Sequence, residues 1–198
     1  SSTLQLVLAT AAVLATGTTR AQTYFVIDLG TFGGPTGGAT AINNVGDVCG
    51  AATRTDAFLH GFYWDGAAQE ILPLPDDHNT FAYALNDAGD VAAVSLDMGD
   101  LQPRGILWQQ GASLPLGNFT PHDVNNGGVL VGWTTAYNAS FMGWTDRAAR
   151  WENGAASDLG TLGGDFSYAY AVNDAGWIVG WSYGPGNTAT RAALWLNG

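Results

Sequence analysis

The stretch AVNDAGWIVG, residues 171–180, contains the pattern that decides the fold. An apolar residue is followed by Asn, a second polar residue, any residue and Gly, and then by an apolar triplet. The pattern occurs four times, at residues 42–46, 85–89, 124–128 and 172–176. Because Asn and Gly both tolerate a positive φ angle, each copy predicts a tight hairpin turn between two short strands.

Two further landmarks keep the same spacing. Tryptophan recurs at intervals of 44, 43 and 44 residues, at Trp64, Trp108, Trp151 and Trp195. Four residues before each tryptophan stands a cationic or potentially cationic side chain, at His60, Arg104, Arg147 and Arg191. The segment DLGTFGG at residues 28–34 recurs as DLGTLGG at residues 158–164. Three landmarks in phase predict an internal repeat of about 43 residues.

Each repeat divides into four short strands, which in the first copy are residues 40–43, 47–51, 61–64 and 70–72. Four antiparallel strands in about 40–45 residues is the period of β-propeller blades. We therefore expect an all-β, β-propeller-like array of four roughly 43-residue, four-stranded antiparallel blades, either complete or a fragment of a larger propeller. The repeats run over residues 28–72, 73–116, 117–158 and 159–198, within a repeat domain of residues 22–198.

Ring closure is the open question of this arrangement. The last repeat ends after the strand of Trp195, and residues 24–29 have the character of an isolated fourth strand. We expect this segment either to pair with the strand around residues 192–196 and close a ring, or to belong to a larger ring.

Composition excludes several classes of function. Six basic residues stand against seventeen acidic ones, a formal net charge of −11, so nucleic acid and anionic membrane surfaces are unfavourable partners. Cys49 is the only cysteine, which excludes an internal disulfide and a cysteine-based metal cluster. We expect Cys49 to be a small core residue. His60, His78 and His122 form no close ligand pair, so no metal or cofactor is expected.

The N-terminus differs from the rest of the chain. An apolar run at residues 4–15 leads through small residues to Ala21. It resembles the apolar core and cleavage end of a secretory signal peptide, without an initiating Met or a basic leader. We predict that residues 1–21 are an N-terminally incomplete signal peptide and that the mature protein is secreted. The run is short for a membrane span, and a buried N-terminal helix is the alternative interpretation.

The repeat landmarks resemble the HAF-family extracellular repeat, which is named for a His-Ala-Phe tripeptide. The matching segments are residues 158–164, 171–176, 178–180 and 191–195. His60-Gly61-Phe62 is the nearest approach to the tripeptide, and the other copies have Arg in place of His. The resemblance covers nearly all of residues 24–198. It implies a secreted bacterial protein, and it implies no particular reaction.

Two classes of function remain. The first, which we favour, is a binding or structural module of the cell exterior with an extracellular ligand such as a polysaccharide. The alternative is an extracellular glycoside-processing enzyme with paired carboxylates in the propeller channel. The position-specific carboxylates are Asp97, Asp100, Asp123, Asp146 and Asp165, and the sequence pairs none of them, so no catalytic residue is assigned.

Binding is expected on the links that differ between repeats, because loops on a rigid scaffold usually carry recognition. The longest predicted link, residues 134–146, contains Tyr137, Phe141 and Trp144. Neighbouring links add further aromatic and acidic side chains: Tyr168, Tyr183, Asp97, Asp100 and Asp165. Exposed aromatic rings beside carboxylates suit stacking on a glycan. The alternative interpretation is that these rings only cap the open end of the core.

The regularly spaced tryptophans and cations are interpreted as structural. We expect the tryptophans to be core wedges and the cations to bridge neighbouring repeats, because each recurs in every copy.

Overall fold

The computed structural model describes residues 24–99, 102–140 and 142–196. The chain divides into two compact units, Ser1–Gly30 and Thr31–Gly198. The predicted signal peptide, residues 1–21, lies outside the described residues. In the described part of the first unit Val26 is a bridged residue, and neither neighbour of it is in a strand. The segment 24–29 is therefore not formed as a strand here, and ring closure by it stays a prediction.

The second unit confirms the predicted all-β class. The described residues form four antiparallel sheets, with strand orders β1-β2-β3-β4, β5-β6-β7-β8, β9-β10-β11-β12 and β13-β14-β15. The strands are β1 (Gly33–Ile42), β2 (Val48–Arg54), β3 (Leu59–Trp64), β4 (Ala68–Ile71), β5 (Asn79–Leu85), β6 (Val91–Leu96), β7 (Pro103–Gln109), β8 (Ala112–Pro115), β9 (Phe119–Val124), β10 (Leu130–Asn138), β11 (Gly143–Glu152), β12 (Ala155–Asp158), β13 (Ser167–Val172), β14 (Ile178–Tyr183) and β15 (Thr190–Trp195). A short 3-10 helix, Pro185–Asn187, precedes β15. No described segment forms a helix long and apolar enough to cross a membrane.

The Asn-x-x-Gly links are tight turns, as the sequence predicts. In the second sheet the main-chain N–H of Gly89 donates to the carbonyl of Asn86 at 3.1 Å, and Gly89 has a φ of 80°. The Asn86 side chain completes the turn, because its Oδ1 accepts from the N–H groups of Ala88 and Asp90. An amide that closes its own turn in this way is the reason that Asn stands at this position.

One predicted loop is a β-hairpin instead. The sequence predicts residues 134–146 as the longest variable link, but β10 and β11 stay paired from Thr134↔Arg147 to Asn138↔Gly143. The residues concerned are rich in threonine and aromatic side chains, which favour a pleated surface and pair across strands. The hairpin projects beyond the other strands of the third sheet, since β9 ends its pairing with β10 at Phe119↔Thr134.

The core lies between successive sheets, in three hydrophobic clusters. We call the side of a sheet that packs on the next sheet its leading face, and the side that packs on the preceding sheet its trailing face. The first cluster joins Cys49 and Ile71 of the first sheet to Val91 and Trp108 of the second. The second and third clusters join sheets two to three and three to four in the same way.

Cys49 is fully buried in the first of these clusters, and its thiol is free. Burial raises the pKa of this thiol above its usual range. A buried thiol of raised pKa is inert, so Cys49 acts as a small packing residue.

Candidate functional site

The β10–β11 hairpin carries an exposed pair of aromatic rings. Tyr137 and Trp144 lie directly opposite each other across the two strands. Their ring centroids are 5.9 Å apart in an edge-to-face arrangement. Tyr137 is 59% exposed and Trp144 is 67% exposed, and Met142 in the connecting turn is more exposed still. Phe141, the third predicted ring of this segment, lies outside the described residues. The pair forms a surface that we call the hairpin platform, Tyr137 and Trp144.

The Asp146 carboxylate links the base of the hairpin to the fourth sheet. The Asp146 carboxylate accepts hydrogen bonds from the hydroxyls of Thr135, at 2.5 Å, and of Tyr168. Burial raises the pKa of the Tyr168 hydroxyl, and the neighbouring Asp146 carboxylate raises it further. Tyr168 is thus half-buried as a donor to Asp146, and its ring packs on Trp133 at 5.1 Å rather than standing free in a loop.

Asp165 ties the hairpin to the 3-10 helix. Its carboxylate accepts from the side-chain amides of Asn138, at 3.1 Å, and Asn187, at 2.6 Å. Tyr183 packs edge-on against Phe166 nearby, with ring centroids 5.9 Å apart. The structure therefore places Tyr168 at the base of the hairpin and Asp165 beside its turn, whereas Tyr183 packs on Phe166.

The remaining predicted carboxylates lie elsewhere. Asp97, on the link after β6, lies 3.8 Å from Nδ1 of His78 and accepts from the N–H of Gly99. Asp100 lies outside the described residues. Asp123 accepts from the N–H groups of Val124 and Val172, which joins the third sheet to the fourth, and burial raises its pKa. Within the described part of the chain, these carboxylates hold turns and sheets together.

A second aromatic group, which the sequence patterns do not predict, lies on the first strands of the sheets. The register of the first two strands is interrupted at one equivalent place in every sheet, and in the first sheet also between Gly33 and Gly37. At the equivalent place the unpaired residue stands three positions before the turn Asn: Thr40, Tyr83, His122 and Tyr170. Such a bulge redirects one side chain out of the strand alternation. The sequence does carry a signal for this group, since a residue with a ring side chain occurs at this position in three of the four repeats.

The bulge rings of the last three sheets contact each other. Tyr83 stacks nearly parallel on His122, with centroids 5.5 Å apart, and His122 packs on Tyr170 at 5.0 Å. Nε1 of Trp181 donates to the Tyr170 hydroxyl at 2.9 Å. The ring atoms of this group thus bind one another across three sheets. Beside the bulge of the third sheet the main chains of the first two strands approach closely, since a Cβ on Gly132 would lie 1.9 Å from the Thr120 carbonyl oxygen.

In the first three sheets the repeated cations pair within their own repeats, so the predicted bridges to neighbouring repeats are wrong there. Nδ1 of His60 lies 2.6 Å from Oε1 of Glu70, and Nη2 of Arg147 lies 3.1 Å from Oδ2 of Asp158. Arg104 pairs with Asp77, whose carboxylate is fully buried. The reason is that each cation is on the third strand, beside the fourth strand or the link into its own sheet. Arg191, the equivalent in the fourth sheet, is exposed, and no acidic partner of it appears among the described residues.

The repeated tryptophans lie on the trailing faces. Trp108 is buried in the first cluster, and Trp151 and Trp195 are half-buried against the second and third clusters. Trp64 of the first sheet is half-buried.

No group of three or more metal-ligating side chains occurs in the part of the chain that the structure describes. Comparison with known proteins finds no matching protein family and no matching curated protein.

Proposed function

We propose that this chain is a secreted binding module of the bacterial cell exterior, of the HAF repeat type, that binds an extracellular polysaccharide through the hairpin platform. The observation that carries the proposal is the exposure of Tyr137 and Trp144 on a hairpin that Asp146 ties to Tyr168 below them and that Asn138 ties to Asp165 beside its turn. Large rings in this setting are costly to leave in water, and flat rings on a rigid support suit stacking on sugar rings.

We propose further that the four sheets are the blades of a β-propeller-like array. Its support is that the first three sheets each pack on the sheet that follows, and that the second and third sheets use opposite faces for their two neighbours. In addition, the four Asn-x-x-Gly turns line one common opening of about 310 Å³. Scaffolds of this kind present their variable links together, which is what a binding role needs.

The net charge of the chain narrows the choice of polysaccharide. The chain carries a net charge of −11, so an acidic polysaccharide would be repelled at low ionic strength. We therefore propose a neutral polysaccharide, with stacking as the main source of affinity.

The test is affinity electrophoresis of the purified full chain in gels that contain neutral polysaccharides, namely β-glucan, xylan, mannan and starch, with alginate as the acidic comparison. We expect retardation by at least one neutral polysaccharide and none by alginate. Trp144→Ala and Tyr137→Ala should each weaken binding about tenfold, the loss of roughly 1.4 kcal/mol of stacking.

Trp177→Ala is the matched control, because Trp177 is 53% exposed but lies in the turn at the other end of its strands. It should leave retardation unchanged. The proposal fails if no neutral polysaccharide retards the chain, or if Trp177→Ala weakens binding as much as Trp144→Ala does. It also fails if Trp144→Ala lowers the melting temperature by several degrees without changing retardation.

A further inference from the structure

The two rings of the hairpin platform are not coplanar. Tyr137 and Trp144 project from directly opposite positions of β10 and β11, and the planes of their rings meet at 79°. In an edge-to-face pair, the edge of one ring covers part of one face of the other and leaves the remaining faces free. Both side chains are accordingly more than half exposed. The platform therefore offers a ligand two flat faces that are turned almost at a right angle to each other.

The rings near the base of the hairpin do not extend the platform into a plane. Tyr183 stands edge-on to Phe166 at 67° and edge-on to Trp181 at 87°. The ring of Tyr168 packs against Trp133 and Trp181, with centroids 5.1 Å and 4.7 Å away, so its faces are occupied by other rings. These side chains therefore form no flat surface that is continuous with the platform.

The platform stands on a narrow ribbon of two strands. β9 ends its pairing with β10 at Thr134, and β12 ends its pairing with β11 at Ala149. The ribbon is tied to the fourth sheet below the rings, where the Tyr168 hydroxyl donates to Asp146. Met142, in the turn above the rings, is 83% exposed. Because the ribbon is narrow and its turn is exposed, a ligand chain can bend around it from one ring to the other.

The angle between the rings restricts the shape of a polysaccharide that stacks on both. A stacked sugar lies with its face parallel to the face of the aromatic ring, so two successive sugars on Tyr137 and Trp144 must differ in plane by about the 79° between the rings. In extended β-1,4-linked chains such as cellulose and mannan, the planes of successive sugars are nearly parallel, and such a chain can stack on one ring at a time. In helical glucans such as amylose and β-1,3-glucan, each sugar is turned relative to the one before it.

We propose that the hairpin platform selects helical neutral glucans over extended, flat polysaccharides. This inference rests on the proposed binding of a neutral polysaccharide by the same rings and narrows it to one class. One sugar stacks on Trp144 and the next on Tyr137. The Asp165 carboxylate, which accepts from the amides of Asn138 and Asn187 beside the hairpin turn, has further lone pairs with which to accept from sugar hydroxyls.

The first test compares dissociation constants of the purified full chain, from affinity electrophoresis, for two groups of soluble polysaccharides. Amylose and β-1,3-glucan are the helical group, and hydroxyethyl cellulose, mannan and xylan are the extended group. We expect at least one helical glucan to bind roughly tenfold more tightly than any extended chain, since it stacks on one ring more. An extended chain that binds as tightly as both helical glucans overturns this inference and leaves the proposed function standing. If no neutral polysaccharide binds, both are overturned.

The second test asks whether the preference comes from the angle between the rings. A single ring cannot discriminate an angle, so Trp144→Ala and Tyr137→Ala should each bring the Kd values for helical and extended chains to within about twofold of each other. Tyr137→Phe should restore the preference that Tyr137→Ala loses, because it returns the second ring. The ratio is measured within one variant and does not depend on its stability. A preference for helical glucans that survives Trp144→Ala overturns the inference, and so does a preference that Tyr137→Phe fails to restore.

Discussion

The side-chain amide of Asn86 donates a hydrogen bond of 3.1 Å to the main-chain carbonyl of Asn125, the equivalent turn residue of the next sheet. The same side chain accepts two main-chain N–H groups of its own turn through Oδ1. One residue therefore determines both a local turn and the spacing between sheets. Because the bond runs in one direction along the chain, it also orders the sheets.

We predict that Asn86→Ala lowers the free energy of unfolding by about 2–4 kcal/mol, since several hydrogen bonds of about 1 kcal/mol each are lost at a buried site. Asn173→Ala is the matched control, because Asn173 closes an equivalent turn but is exposed and donates to no next sheet among the described residues. It should cost about 1 kcal/mol. Urea unfolding followed by tryptophan fluorescence measures both values, and equal losses would show that the hydrogen bond to the next turn adds nothing to the turn itself.

The Arg104–Asp77 pair leads to a second prediction. The Asp77 carboxylate is fully buried, so Arg104→Ala would leave it without its cation at a cost of about 3–5 kcal/mol. Arg147→Ala removes the equivalent cation from an exposed carboxylate and should cost less than about 1 kcal/mol. Urea midpoints measure the difference. Adding Asp77→Asn to Arg104→Ala should recover part of the loss, and an unchanged midpoint in that double variant would contradict the assigned cause.

The sequence predicted the features that local chemistry controls. Asn and Gly spacing located the turns, and the all-β class followed from four such turns in phase. The β10–β11 hairpin lies in the longest of the segments that differ between repeats, and length and difference alone predict a loop. Its strand pairing instead depends on cross-strand pairs such as Tyr137↔Trp144. A hairpin of this kind can be distinguished from a loop only when the register between its two strands is known.

The bulge and the ion pairs were beyond sequence reasoning for a related reason. A bulge is a property of two strands together, and nothing in residues 119–124 alone leaves His122 unpaired. Likewise the sequence places Arg147 four residues before Trp151, but it does not show which residue Arg147 pairs with, because that depends on where β12 lies. Spacing along the chain identified these side chains as equivalent without identifying what each one contacts.

The close approach at the bulge makes a third prediction. A Cβ on Gly132 would lie 1.9 Å from the carbonyl oxygen of Thr120, so Gly132→Ala should destabilise the chain by about 1–3 kcal/mol through strain. Ala93 occupies the equivalent position in the second sheet, which is why we expect strain rather than failure to fold. Gly38→Ala, on an open strand position, should be within about 0.5 kcal/mol of wild type. Thermal melting separates the two variants, and similar melting temperatures would contradict the strain expected at Gly132.

The last prediction concerns acid. The Asp87 carboxylate accepts from the side chain and N–H of Asn44 and from the side chain of Asn126, and these bonds, with the Asn44 side chain foremost, lower its pKa. The folded state therefore holds Asp87 ionised while the unfolded chain takes up a proton near pH 4. Its contribution to stability is present above about pH 4 and is lost as the pH falls through the folded pKa. Asp87→Asn should thus flatten the fall in melting temperature between pH 5 and pH 3, here chosen as roughly one unit on either side of the unfolded value.

Asp123 provides a control of opposite sign. Burial raises its pKa, so its favourable contribution is present below the unfolded value and is lost as the pH rises through the folded pKa. Asp123→Asn removes that acid-side contribution, and the melting temperature should therefore fall more steeply over the same range than in the wild type. If Asp87→Asn and Asp123→Asn change the fall in melting temperature at acid pH in the same direction, the two carboxylates do not differ in environment. In that case the hydrogen bonds between turns are not what keeps Asp87 ionised.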